Sequence, residues 1–160
     1  MGTVTTLDAL QGLRPSWSAR GRKVVLTNGC FDLLHVGHLR YLRQAKALGD
    51  ILIVGVNDDV SVGRLKGSRR PVISQDDRAE MVAALDGVDY VVIFAEDTAT
   101  ALVEALRPEV YAKGGDYGHG GKDLPEATTV QAHGGRIELL PLVPGRSSTD
   151  LVQLILDRYS

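Results

Sequence analysis

Short runs of β-branched and aliphatic residues alternate along this chain with segments whose apolar positions recur every three or four residues. Val24-Val25-Leu26-Thr27 reads as a buried strand that runs into Asn28-Gly29. Over residues 38–48, Leu39, Leu42, Ala45 and Leu48 recur at helical spacing, and Gly49 supplies the stop. Residues 51–56 predict a second strand, and residues 75–85 a helix with Met81, Ala84 and Leu85 on one face. Residues 90–94 predict a third strand, followed by a helix over 98–106 that Pro108 closes. Residues 110–112 and 137–142 complete the strands, and a last helix over 147–158 turns Leu151, Leu154 and Ile155 inward. Residues 1–20, with Leu7, Leu10 and Leu13 three apart, are expected to be a helical lead-in to a single domain over 21–160.

This alternation selects the α/β class. The expected fold is a Rossmann-like five-stranded parallel sheet, in the order 3-2-1-4-5, with helices on both faces. Ligands of such sheets gather beyond the carboxyl ends of the strands, where the strand order reverses. The segments that follow each strand are therefore where chemistry is expected.

Composition narrows the choice of ligand. At 160 residues, with 44% hydrophobic and 24% charged residues, the chain has the balance of one soluble domain. Its 18 Lys and Arg against 20 Asp and Glu give a net charge of −2, which excludes a polymer binder that works by bulk positive charge. Neither nucleic acid nor an anionic membrane is expected as a partner, so any anion must be gripped by a local cluster of cations. Cys30 is alone, which rules out an intrachain disulfide and a Cys-based zinc site and fits a reducing cytoplasm. The apolar run at 51–56 is too short to span a bilayer, and residues 1–20 lack the apolar core of a signal peptide.

The most informative stretch is Thr27-Asn28-Gly29-Cys30-Phe31-Asp32-Leu33-Leu34-His35-Val36-Gly37-His38. His35 and His38 share a face in the first helical turn, where unpaired N–H groups and the helix dipole favour an anion. Gly37 between them would let a phosphate approach the backbone. A zinc site is disfavoured, because no third His or Cys follows at a suitable spacing. Asp32 has two readings: it accepts backbone N–H bonds that hold the loop, or it orients a nucleophile. Cys30 reads as a small core residue.

Cations recur in the other loops. Arg64-Leu65-Lys66-Gly67-Ser68-Arg69-Arg70-Pro71 follows the second strand and a short helical turn that Asn57-Asp58-Asp59 would cap. Arg78 opens the helix at 75–85. Lys113-Gly114-Gly115-Asp116-Tyr117 follows the fourth strand, with Lys113 suited to a phosphate and Asp116 to sugar hydroxyls. The glycine-rich loop around His119 is not assigned a role, and His133 is expected to cap a helix end. In Gly145-Arg146-Ser147-Ser148-Thr149-Asp150, helix capping accounts for Ser147 and Asp150 and leaves Arg146, Ser148 and Thr149 for a ligand.

The stretch from Gly29 to His38 resembles the His-x-Gly-His motif of the nucleotidylyltransferase superfamily. Arg146-Ser147-Ser148-Thr149 resembles the Arg-Ser-Thr-Thr type motif of its cytidylyltransferase-like branch, with Ser148 standing where threonine is frequent. With Leu65-Lys66-Gly67, Arg70-Pro71-Val72, residues 88–92, Lys113-Gly114-Gly115-Asp116-Tyr117 and Leu124-Pro125-Glu126, the chain is similar to heptose-1-phosphate adenylyltransferases from about residue 20 onward.

The resemblance implies transfer of a nucleotidyl group from a nucleoside triphosphate to a sugar 1-phosphate. It makes His35, His38 and Lys66 catalytic and gives the nucleotide to Asn28, Gly29, Cys30, Phe31, Gly37, Arg78, Arg146, Ser147, Ser148 and Thr149. Asp32, Lys113, Gly115, Asp116 and Tyr117 would meet the acceptor. Mg2+ would enter with the triphosphate, without a metal site of the protein's own. The product would be ADP-heptose for lipopolysaccharide, made from a sugar phosphate that a separate kinase supplies, by a homodimer. ATP and CTP both remain open as donors. The alternatives are a cytidylyltransferase acting on glycerol 3-phosphate or another alcohol phosphate, and a nucleotide-binding module without turnover.

Overall fold

A computed structural model describes residues 1–115 and 124–160. The strands are β1 (Thr3–Thr5), β2 (Val24–Gly29), β3 (Ile51–Asn57), β4 (Tyr90–Phe94), β5 (Val110–Gly114) and β6 (Arg136–Leu140). They form one parallel sheet in the order β1-β4-β3-β2-β5-β6. The sheet thus has six strands rather than five. The five expected strands keep their relative order, and β1 is added at the edge beside β4. The expected purely helical lead-in is corrected accordingly. Thr3-Val4-Thr5 is too short and too exposed to carry a core pattern, yet its backbone pairs with β4 from Thr3 opposite Tyr90 to Thr5 opposite Val92.

Helices cover both faces. On one side, α2 (Val36–Lys46) and α4 (Gln75–Ala83) pack Leu42, Ala45, Ala79, Val82 and Ala83 against Val25, Leu52, Val54 and Val91. On the other, α1 (Leu7–Ala19), α5 (Thr100–Leu106) and α6 (Ala127–Ala132) pack Leu10, Trp17, Leu102, Leu106 and Val130 against Val24, Leu26, Ile53 and Tyr111. Alternate residues of each strand feed the two clusters, as the two-residue period requires. Arg14 of α1 reaches the carbonyls of Leu106 and Arg107 at the end of α5 and the carboxylate of Glu109, whose other oxygen accepts the Val24 amide. Residues 1–20 are therefore built into the sheet and its covering layer.

Two helical faces differ from the sequence expectation. On α4, Met81 and Ala84 are exposed, while Arg78, Ala79, Val82 and Ala83 face inward. On α7 (Ser148–Tyr159) no residue is buried, and Leu154 and Ile155 point to solvent. The remaining helix, α3 (Asp59–Lys66), is the expected short turn; Asp58 caps it by accepting the Ser61 amide. His133 follows α6 as its C-cap.

Candidate active site

A cleft of about 530 Å³ opens at the carboxyl ends of β2, β3, β5 and β6, within the size range of small-molecule sites. Two helix N-termini border it, those of α2 and α7, each capped by a side chain, so the positive ends of two helix dipoles lie beside one cleft.

His35 is the N-cap of α2. Its Nδ1 accepts the Gly37 amide at 3.0 Å, and the His35 amide in turn donates to His38 Nδ1 at 3.3 Å. The rings lie with centroids 3.9 Å apart. An imidazole nitrogen that accepts a hydrogen bond carries no proton, so both neutral rings hold theirs on Nε2. Two N–H donors are thereby fixed by the backbone. Burial, with the neighbouring His35 second, pushes His38 down to about 4, and burial followed by the Arg146 charge lowers His35. Near neutral pH the pair donates hydrogen bonds as uncharged imidazoles.

Gly37 has a different first purpose from the one its sequence suggested. A Cβ there would stand 2.7 Å from Cε1 of His35, so the glycine makes room for the capping ring. Phe31 adopts φ of 50°, the left-handed region, and its ring lies 5.3 Å from that of His38. Such a conformation in a non-glycine residue is uncommon and concentrates at functional loops.

Asp32 follows the loop-holding reading. Its carboxylate is almost fully buried and accepts Arg70 Nε at 2.6 Å and the amides of Val72 and Ile73 at 2.9–3.0 Å. These bonds depress its pKa against the opposing effect of burial. Committed to the loop, those oxygens are poorly placed for a substrate.

Arg78 departs most from its expected place. It is fully buried beneath the cleft and donates to the carbonyls of Ile73, Cys30 and Asn57 and to Asp59. The long side chain of a helix-opening residue reaches the carboxyl ends of β2 and β3 and holds them together. In this position it supports the loop at residues 30–32 from below.

The other expected residues divide in the same way. Lys66, Arg70, Lys113 and Arg146 line the cleft, as do Asn28, Gly29, Cys30, Phe31, Ser147, Ser148 and Thr149. Ser147 Oγ caps α7 by accepting the Asp150 amide, and Ser148 Oγ donates to the Leu33 carbonyl at 2.8 Å, which ties α7 to the histidine loop. Lys113 is buried, with Nζ 3.3 Å from the Asn28 carbonyl. Burial raises the Cys30 thiol, with nearby cations opposing it, so the group is protonated and unsuited to attack. Gly115 does not line the cleft, and Arg69 stays outside it. Asp116, Tyr117 and the loop around His119 lie outside the described residues.

Tyr41, Asn57, Asp97 and Pro141-Leu142-Val143 also line the cleft, although the sequence reading did not select them as site residues. For Tyr41 a signal existed, since it follows His38 by three residues on one helical face. Among the described residues, no group of three or more His, Cys, Asp or Glu side chains is placed to hold a metal ion. Of the described residues lining the cleft two are acidic, and both are paired, Asp32 with Arg70 and Asp97 with Arg64.

The carboxyl edge of this parallel α/β sheet carries a histidine-capped helix beside a second helix N-terminus. Residues 26–153 match the cytidylyltransferase-like family, and the chain belongs to it. Among its relatives, a protein of Geobacter metallireducens named bifunctional protein HldE is 52% identical over 98% of this chain and 31% of its own length. Its namesake in Wolinella succinogenes is 47% identical over 95% of this chain and 31% of its own length. The chain spans about a third of the length of these curated relatives. A lipopolysaccharide core biosynthesis protein from Thermoplasma volcanium shares the fold, with a TM-score of 0.63 at 24% identity, covering 77% of this chain and 98% of that one. So does pantothenate synthetase from Thermus thermophilus, with a TM-score of 0.59 at 14% identity over 89% of this chain and 62% of that one.

Proposed function

We propose that the chain joins ATP to D-glycero-D-manno-heptose 1-phosphate, giving ADP-heptose and pyrophosphate. The observation that carries this reading is the histidine pair, whose Nδ1 atoms accept backbone amides and whose Nε2–H groups are left to donate at the N-terminus of α2. Donors fixed in advance suit charge that grows on phosphate oxygens in the transition state. The acceptor rests on the resemblance to heptose-1-phosphate adenylyltransferases, and relatives named HldE at about half identity support it.

In this reaction an oxygen of the sugar phosphate attacks the α-phosphorus of ATP in line. The new P–O bond forms as the bond to the β-phosphate oxygen breaks, and pyrophosphate leaves with that electron pair. His35 and His38 donate to the oxygens around the reacting phosphorus, while the N-terminus of α7 and Arg146 hold the triphosphate. Lys66 neutralises charge from the rim, and Lys113 meets the acceptor phosphate. Mg2+ would enter with the triphosphate and would neutralise part of its charge. The remaining parts of the proposal are a cytoplasmic protein, a kinase activity supplying the sugar phosphate, and a homodimer. No described helix is long and apolar enough to cross a membrane. The exposed Leu154, Ile155 and Leu156 of α7 support pairing with a second copy.

Pyrophosphate release tests the reading. Four nucleoside triphosphates are crossed with heptose 1-phosphate, glycerol 3-phosphate and phosphoethanolamine. ATP with heptose 1-phosphate is expected to turn over fastest. CTP with glycerol 3-phosphate in first place would replace the acceptor and the base, and silence in every well would leave a binding module.

A further inference from the structure

β2 and β5 flank the reversal in strand order, and they separate as they reach the cleft. Their register pairs only Val25 with Val110 and Leu26 with Tyr111. Meanwhile β2 stays with β3 as far as Gly29 and Val56, and β5 stays with β6 as far as Gly114 and Leu140. From Thr27 and Ala112 onward, strand pairing no longer holds the two halves of the sheet to each other. Yet each half carries part of the site, Asn28 and the histidine loop on one and Lys113 and Gly114 on the other.

Side chains take over where the ladder stops. Tyr41, on α2, donates its hydroxyl to the Ala112 carbonyl at 2.9 Å and lies 2.7 Å from Thr27 Oγ1. A phenol has one proton, so Thr27 must be the donor to Tyr41. The chain of bonds runs from Thr27 on β2 through Tyr41 to Ala112 on β5. Nearby, the Tyr111 hydroxyl bonds Asn28 Oδ1 and Lys113 Nζ reaches the Asn28 carbonyl, again from β5 to β2. Tyr41 is half-buried on the cleft wall, directly between the two halves.

We infer that Tyr41 is a positioning residue: its hydroxyl bridges the parted strands and sets where Lys113 and Gly114 stand relative to the histidine pair. It acts on the acceptor side through β5, because the triphosphate is gripped by α2 and α7. This consequence rests on the nucleotidyl-transfer reading, whereas the bridge itself does not.

Tyr41→Phe and Thr27→Val each remove one hydroxyl of the bridge with little change of shape. Each is expected to raise KM for the sugar phosphate about tenfold while KM for the nucleotide stays within about twofold. The double variant should be no worse than either single one, since both break the same bridge. Hydrogen exchange at the amides of residues 112–114 should quicken about tenfold in all three. Equal rises in both KM values would mark Tyr41 as merely structural and overturn the inference, as would additive effects or no change in either KM. A wild-type chain that releases no pyrophosphate would sink the functional reading instead. Exchange then decides the bridge alone: unchanged rates at 112–114 in Tyr41→Phe would overturn it.

Discussion

Arg78 and Arg146 have the same charge and the same reach, and both stand beside the cleft. Arg78 lies beneath the cleft with no exposed surface, its guanidinium spent on three carbonyls and Asp59. Arg146 lies on the rim, exposed, and its hydrogen bond goes to the carbonyl of its own neighbour, Gly145. A guanidinium engaged on four partners cannot grip a ligand without releasing what it holds. Exposure likewise separates Asp32, buried against Arg70 and two amides, from Asp97, exposed on the cleft wall in an ion pair with Arg64. The cleft thus has a floor whose charges hold its shape and a rim whose charges stay exposed.

The largest expected effect breaks that comparison at its two ends. Arg78→Met strands the Cys30 and Asn57 carbonyls in a buried place and is expected to cost about 3 kcal/mol or more of stability, read by urea unfolding. Arg146→Ala should change stability by less than about 0.5 kcal/mol and instead raise KM for the nucleotide about tenfold. If Arg78→Met unfolds at the wild-type urea concentration, the floor is not held as described.

The histidine pair joins floor and rim, since its Nδ1 atoms belong to the helix cap while its Nε2–H groups are left to donate. His35→Ala and His38→Ala are each expected to cut pyrophosphate release about 100-fold or more. Loss of the cap in His35→Ala should cost only about 1 kcal/mol, so the fold persists. Wild-type turnover in either variant would remove the central assignment.

Much of this arrangement was legible along the chain, for physical reasons that differ by element. The inner strands β2 to β5 are runs of buried aliphatic residues, and such runs announce themselves. β1 does not, because three residues at an edge, none of them buried, are fixed by backbone pairing alone. The histidine loop was readable because capping, spacing and anion affinity are all local. Arg78 was not, since its position in a first helical turn says nothing about carbonyls on two distant strands. On α4 the arginine takes an inward place that periodicity had given to Met81, and Met81 is left in solvent. The capping pattern of Ser147 is local, but the bond from Ser148 to Leu33 spans 115 residues and has no local signal.

Acid sharpens the contrast between floor and rim in a different way. His38 has its folded pKa at about 4, below the ordinary 6.5, because burial disfavours the charged ring. Between those values the unfolded chain takes up the proton first, so stability is complete above 6.5 and is lost as pH falls toward 4. The loss from pH 7 to pH 4.5 is expected to be about 2 kcal/mol after allowance for the partly exposed ring. Asp32, lowered from 3.8, gives up its contribution only at still lower pH, which keeps it out of this window. His38→Gln should flatten the pH dependence of urea unfolding, and an unchanged slope would mean that the ring is not desolvated.

The smallest effect concerns the rim alone. Lys66 ends α3, where Gly67 leaves the helix at φ of 104°, and its exposed side chain lines the cleft. A flexible, solvated cation contributes less than a fixed donor and is screened by salt. Lys66→Ala is therefore expected to slow turnover about tenfold at low salt, with a smaller difference at high ionic strength. The melting temperature should stay within about 2 °C of wild type, because nothing in the floor rests on this side chain. A fall of several degrees would move Lys66 into the floor with Arg78, and the line drawn between the two would then have to pass on its other side.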